Sequence, residues 1–241
     1  MTQLMVAVAT AAALAGGGLL AVTPGMVSPA YTQAGYINEA AQVAPQRIVI
    51  GLDLSKSNPL IDQPEFAAKV ADRIAGIVRH LGFASEVHVR TFGSYDASAN
   101  NFHYDAVISV RERPEAVAAD VQRLIAGTPV LVQHGRWQAQ NWTNILAFLD
   151  NMSQSIGCSG MPTAVVLASD GIEDSEYARL DNPHDHLPAP EGRPFAGCSE
   201  LEILGIGQGT RSPSKTVRLR EEWMRWAQEA GFSRFSGLND W

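Results

Sequence analysis

Five oxygen-bearing side chains form the most informative pattern in this chain of 241 residues. They are Asp53, Ser55, Ser57, Thr143 and Asp170. The first three alternate directly after an apolar run at 47–52, and the last follows a second apolar run at 163–169. Such short apolar runs are typical of buried β-strands. Because carboxylate and hydroxyl oxygens are the ligands that hard cations such as Mg²⁺ prefer, the pattern predicts a divalent-cation site at two strand ends.

The elements that would position this site follow from hydrophobic periodicity. Strand patterns lie at 47–52, 86–92, 104–110, 163–169, 200–206 and 232–235, and helical patterns lie at 62–81, 115–125, 144–156 and 215–230. Asp62 and Gly82 are expected to begin and end the first helix. Strands alternating with helices predict an α/β fold with a doubly wound, mostly parallel central sheet flanked by helices, of the Rossmann-like class. Ligands of such sheets bind beyond the carboxyl ends of the strands, where Asp53 and Asp170 fall.

In order and placement, the five residues resemble the metal-ion-dependent adhesion site of the von Willebrand factor A (vWA) domain. The resemblance spans most of the chain, and the expected domain is 46–241. Ser169-Asp170-Gly171 also looks like the hydroxyl-Asp-Gly turn of that family. The resemblance implies that the three hydroxyls hold Mg²⁺ or Mn²⁺, and that the two aspartates bind it directly or through water. It further implies a protein partner that supplies an acidic residue to the metal.

Thr143 is the position where the pattern departs from the family. The bulky Trp142 precedes it, where the family often has a small residue. Thr128 is a rival candidate, but Thr143 is preferred because it opens the helical pattern that leads to the strand before Asp170. Trp137 and Trp142 flank this segment, and the sequence allows both partner anchoring and core packing for them.

Charge and composition narrow the function classes. The formal net charge is −7, and Lys and Arg are spread singly along the chain. This balance argues against a nucleic-acid surface, because such surfaces neutralise phosphates with clustered basic residues. The length fits one large α/β domain preceded by a non-globular N-terminal segment.

The N-terminal segment begins with an uncharged apolar run at 4–22. Residues 1–30 are therefore expected to be a signal peptide cleaved after Ala30, or an uncleaved membrane anchor, since the run is long enough to span a bilayer. A helix buried in the domain is a third alternative. Residues 31–45 read as a linker rich in small and polar residues. The expected location is exported, periplasmic or secreted, with membrane contact only through that anchor.

The two cysteines, Cys158 and Cys198, each precede a predicted strand. If those strands are neighbours, both thiols lie at the same edge of the sheet and can form a disulfide that suits an exported protein. Two free buried thiols are the alternative. The spacing offers no Cys-x-x-Cys pair, so no zinc or redox motif is indicated.

Catalysis is the less favoured functional class. A strand-end aspartate such as Asp53 could be a nucleophile in phosphoryl transfer, but enzymes of the haloacid dehalogenase type need a second aspartate two residues later, where this chain has Ser55. No Gly-x-Ser-x-Gly nucleophile motif occurs either. We therefore expect a binding protein and not an enzyme. A structural component of an envelope complex, with a weak or empty metal site, is the other alternative.

Several further motifs allow two interpretations each. His184-Asp185-His186 with Asp181 could form a second metal site or a solvated loop. Glu173 and Asp174 could add negative charge near the metal or cap a following turn. The Gly-x-Gly-x-Gly string at 205–209 lacks dinucleotide-binding spacing and is interpreted as a strand-to-helix turn.

Overall fold

A central β-sheet organises the computed structural model, which describes residues 43–94, 102–210 and 212–241. The expected leader or anchor and most of the linker lie outside the described residues. The strands of the sheet are β1 (Arg47–Asp53), β2 (Glu86–Phe92), β3 (His103–Val107), β4 (Thr163–Ala168), β5 (Glu200–Leu204) and β6 (Arg234–Leu238). Their order is β3-β2-β1-β4-β5-β6. All neighbouring strands are parallel except β2 and β3, which are antiparallel.

Helices cover both faces of the sheet. They are α1 (Pro64–Arg79), α2 (Pro114–Ala126), α3 (Thr128–Gln133), α4 (Ile145–Ser155) and α5 (Pro213–Ala230), and a short 3-10 helix spans Pro59–Ile61. Apolar residues of α1 and α2 form one core cluster with one face of the sheet, and those of α4 and α5 form a second cluster with the other face. The predicted doubly wound, mostly parallel α/β fold is confirmed.

The strand order places a switch point between β1 and β4. The chain leaves β1 toward β2 and β3 on one side, then crosses back to form β4 on the other side of β1. Leu52 pairs with Ala168, so the residues that follow the two strands are neighbours. A crevice opens at such a switch point because the connections diverge to opposite faces of the sheet.

Close packing of α4 onto the sheet depends on Gly51. A Cβ atom at this position would lie 2.8 Å from Leu167 Cδ2 and 2.8 Å from Phe148 Cε1, which is closer than a side chain tolerates. The Phe148 ring also stacks on Phe92, with the ring centroids 4.6 Å apart. A larger residue at position 51 would cost about 1–3 kcal/mol of overpacking and would shift α4. The start of α4, which lies two residues after Thr143, is therefore fixed by packing of the helix against the sheet.

The expected ends of the first helix are wrong. Gln63 is the N-cap of α1 and makes no side-chain capping bond, while Asp62 ends the preceding 3-10 helix. The helix stops at Arg79, before Gly82, which lies in the turn toward β2. Pro64, whose φ is already helical, sets the start of α1 without a side-chain cap. None of the helices in the described ranges is both long and apolar enough to cross a membrane.

A disulfide joins Cys158 and Cys198, as the positions of the two cysteines before β4 and β5 predict. The Cα atoms are 5.0 Å apart, and the bridge spans 40 residues of sequence. The two thiols lie at the amino ends of neighbouring parallel strands, away from the strand ends that carry the aspartates. The bridge therefore stabilises the edge of the sheet opposite the candidate site.

Candidate metal centre

Asp53 ends β1 as a fully buried residue whose two carboxylate oxygens both accept hydrogen bonds. The backbone N–H of Ser55 donates to Oδ1 at 2.8 Å, which shapes the loop after the strand. The hydroxyl of Ser169 donates to Oδ2 at 2.8 Å, which ties β1 to the end of β4. Asp53 is therefore held in one orientation by bonds from both strand ends.

Asn58 joins the same two strand ends by hydrogen bonds, a role that the sequence did not predict. Its side-chain amide donates to the carbonyls of Asp53 at 2.8 Å and Ala168 at 3.0 Å. Its Oδ1 atom accepts from Leu60 N at 3.3 Å and so begins the 3-10 helix. An asparagine five residues after the aspartate carries no recognisable signal, because both of its carbonyl partners are defined only by the folded sheet.

The three predicted hydroxyl residues line one cleft of about 450 Å³. The Oγ atoms of Ser55 and Ser57 are 3.3 Å apart, and Ser55 is buried while Ser57 is exposed. Thr143 joins them in the wall of the cleft. Asp53 and Asp170 do not line it themselves. They are buried beside it, and Asp53 is joined to it through its bond to Ser55.

Thr143 reaches the cleft because its backbone is fixed on both sides. It forms an antiparallel bridge with Asp174, in which Thr143 N donates to Asp174 O at 3.2 Å and Asp174 N donates to Thr143 O at 2.9 Å. The next residue, Asn144, caps α4 by accepting from Ala147 N at 2.9 Å. A capped helix start immediately after Thr143 sets the position of this loop.

Asp170 lies in the tight turn that follows β4. Its Oδ1 accepts from Ile172 N at 2.9 Å, and Gly171 has a φ of 74°, which the turn requires and which glycine adopts without strain. The indole N–H of Trp223 donates to the carbonyl of Gly171 at 2.8 Å and holds the turn against α5. Among the described residues, Asp170 Oδ2 is the one buried side-chain oxygen or nitrogen without a hydrogen-bond partner.

Burial disfavours the charged form of both aspartates. It raises the pKa of Asp53 to about 7, and the charge of Asp170 adds to this effect. Burial also raises the pKa of Asp170, although the Ile172 N–H and the Ser57 hydroxyl oppose it. Two carboxyl groups removed from water and close to one another disfavour the charged state. The site is therefore electrostatically suited to a group that carries positive charge.

Glu173 positions the start of α4, a role that the sequence did not predict. It is fully buried, and its Oε2 accepts from the N–H groups of Ile145 at 2.8 Å and Leu146 at 3.2 Å. The Ser175 hydroxyl lies 2.6 Å from Oε1. Of the two alternatives for Glu173, capping is observed, but it caps the start of α4 and not a turn that follows it. Burial raises the pKa of Glu173 to about 8.

The rim of the cleft carries charged and aromatic side chains. Lys56, Asp174, Arg179 and Asp181 line it. Trp142 is 46% exposed, and the Arg179 guanidinium lies 5.5 Å from the centroid of its ring. Trp137, in contrast, packs against the core, with its ring centroid 5.1 Å from that of Phe102. Core packing thus holds for Trp137, and Trp142 alone of the two tryptophans presents an exposed surface.

The rival positions have other roles. Thr128 is buried, and its hydroxyl donates to Leu124 O at 3.4 Å within the helical connection between α2 and α3. His186 Nδ1 lies 2.7 Å from a carboxylate oxygen of Glu222 on α5, so the loop histidine contacts a helix. The described ranges contain no group of three or more His, Cys, Asp or Glu side chains arranged to hold a metal. The candidate centre differs from such groups, since three of its five oxygen donors are hydroxyls.

No protein-family model matches the chain, and a search of curated proteins gives no significant match.

Proposed function

We propose that this chain is a vWA-domain protein whose cleft binds a divalent cation, Mg²⁺ or Mn²⁺, and that it binds a protein partner through that cation. The observation that carries the proposal is the unpartnered, buried Asp170 Oδ2 beside a cleft lined by Ser55, Ser57 and Thr143. The strand-end placement of Asp53 and Asp170 at the switch point supports it, because ligands of such sheets bind there.

The donor set fits a hard cation. A buried carboxylate oxygen without a hydrogen-bond partner costs free energy, and so do two buried acids close together. A divalent cation offsets both costs, and its preferred ligands are oxygens such as those present here. Ser55, Ser57 and Thr143 would hold the ion directly, and Asp53 and Asp170 would hold it directly or through water.

The protein's own residues would define how a partner binds. Hydroxyl ligands are neutral, so with the two aspartates partly held off through water a divalent ion would keep part of its positive charge. When bound, the ion supplies an electrophilic position for a carboxylate from the partner. The rim carries Lys56 and Arg179 together with Asp174 and Asp181, so its formal charges balance and the ion would supply the positive charge, while Trp142 adds exposed aromatic surface. This combination favours a partner surface with an acidic side chain at its centre.

Two observations weigh against phosphoryl transfer. Both carboxylate oxygens of Asp53 are engaged, by Ser55 N–H and by the Ser169 hydroxyl. A nucleophilic aspartate must reach the substrate with its own oxygen, and Asp53 does not line the cleft, whereas a metal ligand can act from the same position through water. The alternative of a structural envelope component with a weak or empty site is separated from the main proposal by metal affinity alone.

We further propose that the protein is exported, and that its N-terminal segment is a signal peptide or membrane anchor. The Cys158–Cys198 disulfide supports this location, because disulfides persist in oxidising compartments such as the periplasm and the extracellular space. The uncharged apolar run at 4–22 supports it independently.

Calorimetric titration of the protein with Mg²⁺ and Mn²⁺ tests the metal proposal. We expect binding by the wild-type protein and none by the Asp53→Ala variant. Asp120→Ala is a matched control, since it removes the same charge from an exposed position on α2, where Asp120 pairs with Arg123. Circular dichroism establishes that all three proteins are folded. Equal binding by wild-type and folded Asp53→Ala protein would refute the proposed centre.

A further inference from the structure

Three exposed apolar residues lie at the end of the sheet opposite the metal cleft. Val43, Phe83 and Val107 are 39%, 45% and 55% exposed, and together we call them the amino-end patch. Phe83 precedes the start of β2, and Val107 is the last residue of the antiparallel β3, opposite Glu86. Large apolar side chains grouped on a surface mark a contact site more often than single ones do.

Backbone contacts bring the members of the amino-end patch together. Gly82, beside Phe83, approaches Val43 so closely that a Cβ atom on it would lie 2.2 Å from Val43 O. On the other side of Phe83, Ala84 N donates to Ile108 O at 2.9 Å, directly after Val107. The three exposed residues therefore lie on three adjoining segments at the amino end of the sheet.

A strained turn places Phe83 in this surface. Ser85 N donates to Gly82 O at 3.2 Å and closes a turn with Phe83 and Ala84 at its centre. Ala84 has a φ of 63°, and it is the one residue other than glycine with a positive φ in the described ranges. The left-handed conformation is unfavourable for alanine, so the surrounding structure must stabilise this turn.

Local charge around the amino-end patch differs from that of the whole chain. Arg79 ends α1 next to the patch, and the loop from β3 to α2 carries Arg111 and Arg113. Glu112 and Glu115 are the acids on the same loop and helix start, and Glu86, opposite Val107, is neutralised by its ion pair with Arg47. Arginines thus outnumber acids here, whereas the chain as a whole has a net charge of −7. This charge is compatible with anionic lipid headgroups.

The position of Val43 connects the patch to the N-terminal segment. Val43 is the first described residue, so the preceding segment, with its apolar run at 4–22, joins the domain beside Phe83. An anchor formed by that run would hold the domain near a bilayer by its amino end. The metal cleft lies at the opposite end of the same sheet.

We propose that the amino-end patch rests on the surface of an anionic lipid bilayer, with Phe83 in the headgroup region and the metal cleft directed away from the membrane. The inference rests on the N-terminal anchor proposed above. An exposed aromatic ring flanked by valines and arginines suits the membrane interface, where apolar contact and attraction to headgroups act together.

Site-specific fluorescence tests this orientation. Both cysteines of the chain are in the disulfide, so an introduced cysteine is the one free thiol for labelling. The full chain would carry an environment-sensitive dye at Phe83→Cys or Val107→Cys, or at Gln138→Cys as an exposed control near the carboxyl end of the sheet. Each protein is mixed with vesicles of equal parts phosphatidylcholine and phosphatidylglycerol, with and without a spin-labelled quenching lipid.

We expect blue-shifted, lipid-quenched emission from positions 83 and 107 and unchanged emission from position 138. Vesicle-bound protein without a shift at 83 or 107 would overturn the patch and leave the anchor standing. Protein that does not bind vesicles would overturn both the patch and the anchor, while the calorimetric test of the metal centre stays separate. A blue shift of the dye at position 83 in the absence of lipid would also overturn the proposal. If that shift grew with protein concentration, the patch would instead bind a second copy of the chain.

Discussion

Acidic residues at the two ends of the central sheet have pKa values shifted in opposite directions. At the amino end, Glu86 pairs with the Arg47 guanidinium at 2.6 Å, and this partner lowers the pKa of Glu86. At the carboxyl end, burial raises the pKa of Asp53 and Asp170, and one oxygen of Asp170 has no partner. The same chemical group therefore stabilises the fold at one end and destabilises it at the other.

Under the proposed function, this difference places ligand-independent stabilising contacts and the cation site at opposite ends of the sheet. The amino end contains stabilising contacts that need no ligand. The Arg47 guanidinium also donates to Ser159 O at 3.2 Å, and the Cys158–Cys198 disulfide lies nearby in the chain. The carboxyl end keeps buried carboxyl groups whose charged form an added cation would stabilise. Changes at the amino end should thus affect folding, and changes at the carboxyl end should affect metal binding.

Removing the disulfide should give the largest effect on stability. The Cys158→Ser, Cys198→Ser double variant releases a closed segment of 40 residues, which the chain-entropy account values at about 4 kcal/mol. Urea unfolding followed by tryptophan fluorescence measures the loss. Because the bridge is at the amino end, calorimetric Mg²⁺ affinity of the folded variant should match that of the wild type. A folded variant with lost Mg²⁺ binding would contradict the separation of the two ends.

Glu173 tests whether the carboxyl end also contains structural ties. Glu173→Ala leaves the N–H groups of Ile145 and Leu146 without their buried acceptor, which should cost about 2–3 kcal/mol. The free energy of urea unfolding measures this cost. Since those groups begin α4 directly after Thr143, the variant should also bind Mg²⁺ more weakly in calorimetry.

Glu173→Gln is the matched control for that variant. With a pKa of about 8, Glu173 is largely neutral at pH 7, and glutamine keeps an acceptor for the helix and a donor toward Ser175. Its unfolding free energy should therefore stay close to that of the wild type. A Glu173→Gln protein as unstable as Glu173→Ala would show that the charge of Glu173, and not its hydrogen bonds, stabilises the start of α4.

The fold was predictable from the sequence because its signals are local and repeated. The buried strand at 47–52 and the helix around Phe66 and Ile74 have periods that tertiary contacts reinforce. The helix ends were less predictable, since Pro64 begins α1 without a side-chain cap and the chain leaves the helix before Gly82. Boundaries depend on a few backbone bonds and carry weaker sequence signals than the apolar stripe does.

The site was predictable only in part. Asp53, Ser55, Ser57 and Asp170 follow strand patterns, so their shared edge of the sheet follows from parallel topology. The contribution of Glu173 could not be predicted, because it caps a helix that begins 28 residues earlier in the sequence. Long-range side-chain bonds of this kind depend on the distance between loops, which periodicity does not report.

The opposite pKa shifts give opposite pH dependences. Asp53 has a raised pKa of about 7 in the folded protein against an ordinary value of 3.8, so its protonated form favours folding, and this contribution is lost as pH rises toward and past 7. Glu86 has a lowered pKa, so its contribution is present above its ordinary value of 4.5 and is lost as pH falls below it. In a chelating buffer, stability attributable to Asp53 should fall by about 2–3 kcal/mol between pH 5 and pH 8.

Asp53→Asn isolates that contribution, because asparagine does not titrate. Urea unfolding of both proteins across this pH range should show a shallower decline for the variant, and saturating Mg²⁺ should remove the decline in the wild type only. Identical pH profiles for the two metal-free proteins would mean that Asp53 is charged throughout, and the contrast between the two ends would rest on geometry alone.

The smallest effect is expected at the exposed rim of the cleft. Trp142 is 46% exposed and contacts Arg179, an arrangement that contributes about 0.5–1 kcal/mol at an exposed site. Trp142→Ala should therefore change the unfolding free energy little and leave calorimetric Mg²⁺ affinity unchanged. Trp137→Ala is the comparison, since Trp137 is half-buried and packs on Phe102 against the core, and its loss should cost about 1–3 kcal/mol. A large drop in Mg²⁺ affinity in Trp142→Ala would mean that the rim helps to form the metal centre. The buried ligands and the exposed rim would then not act independently.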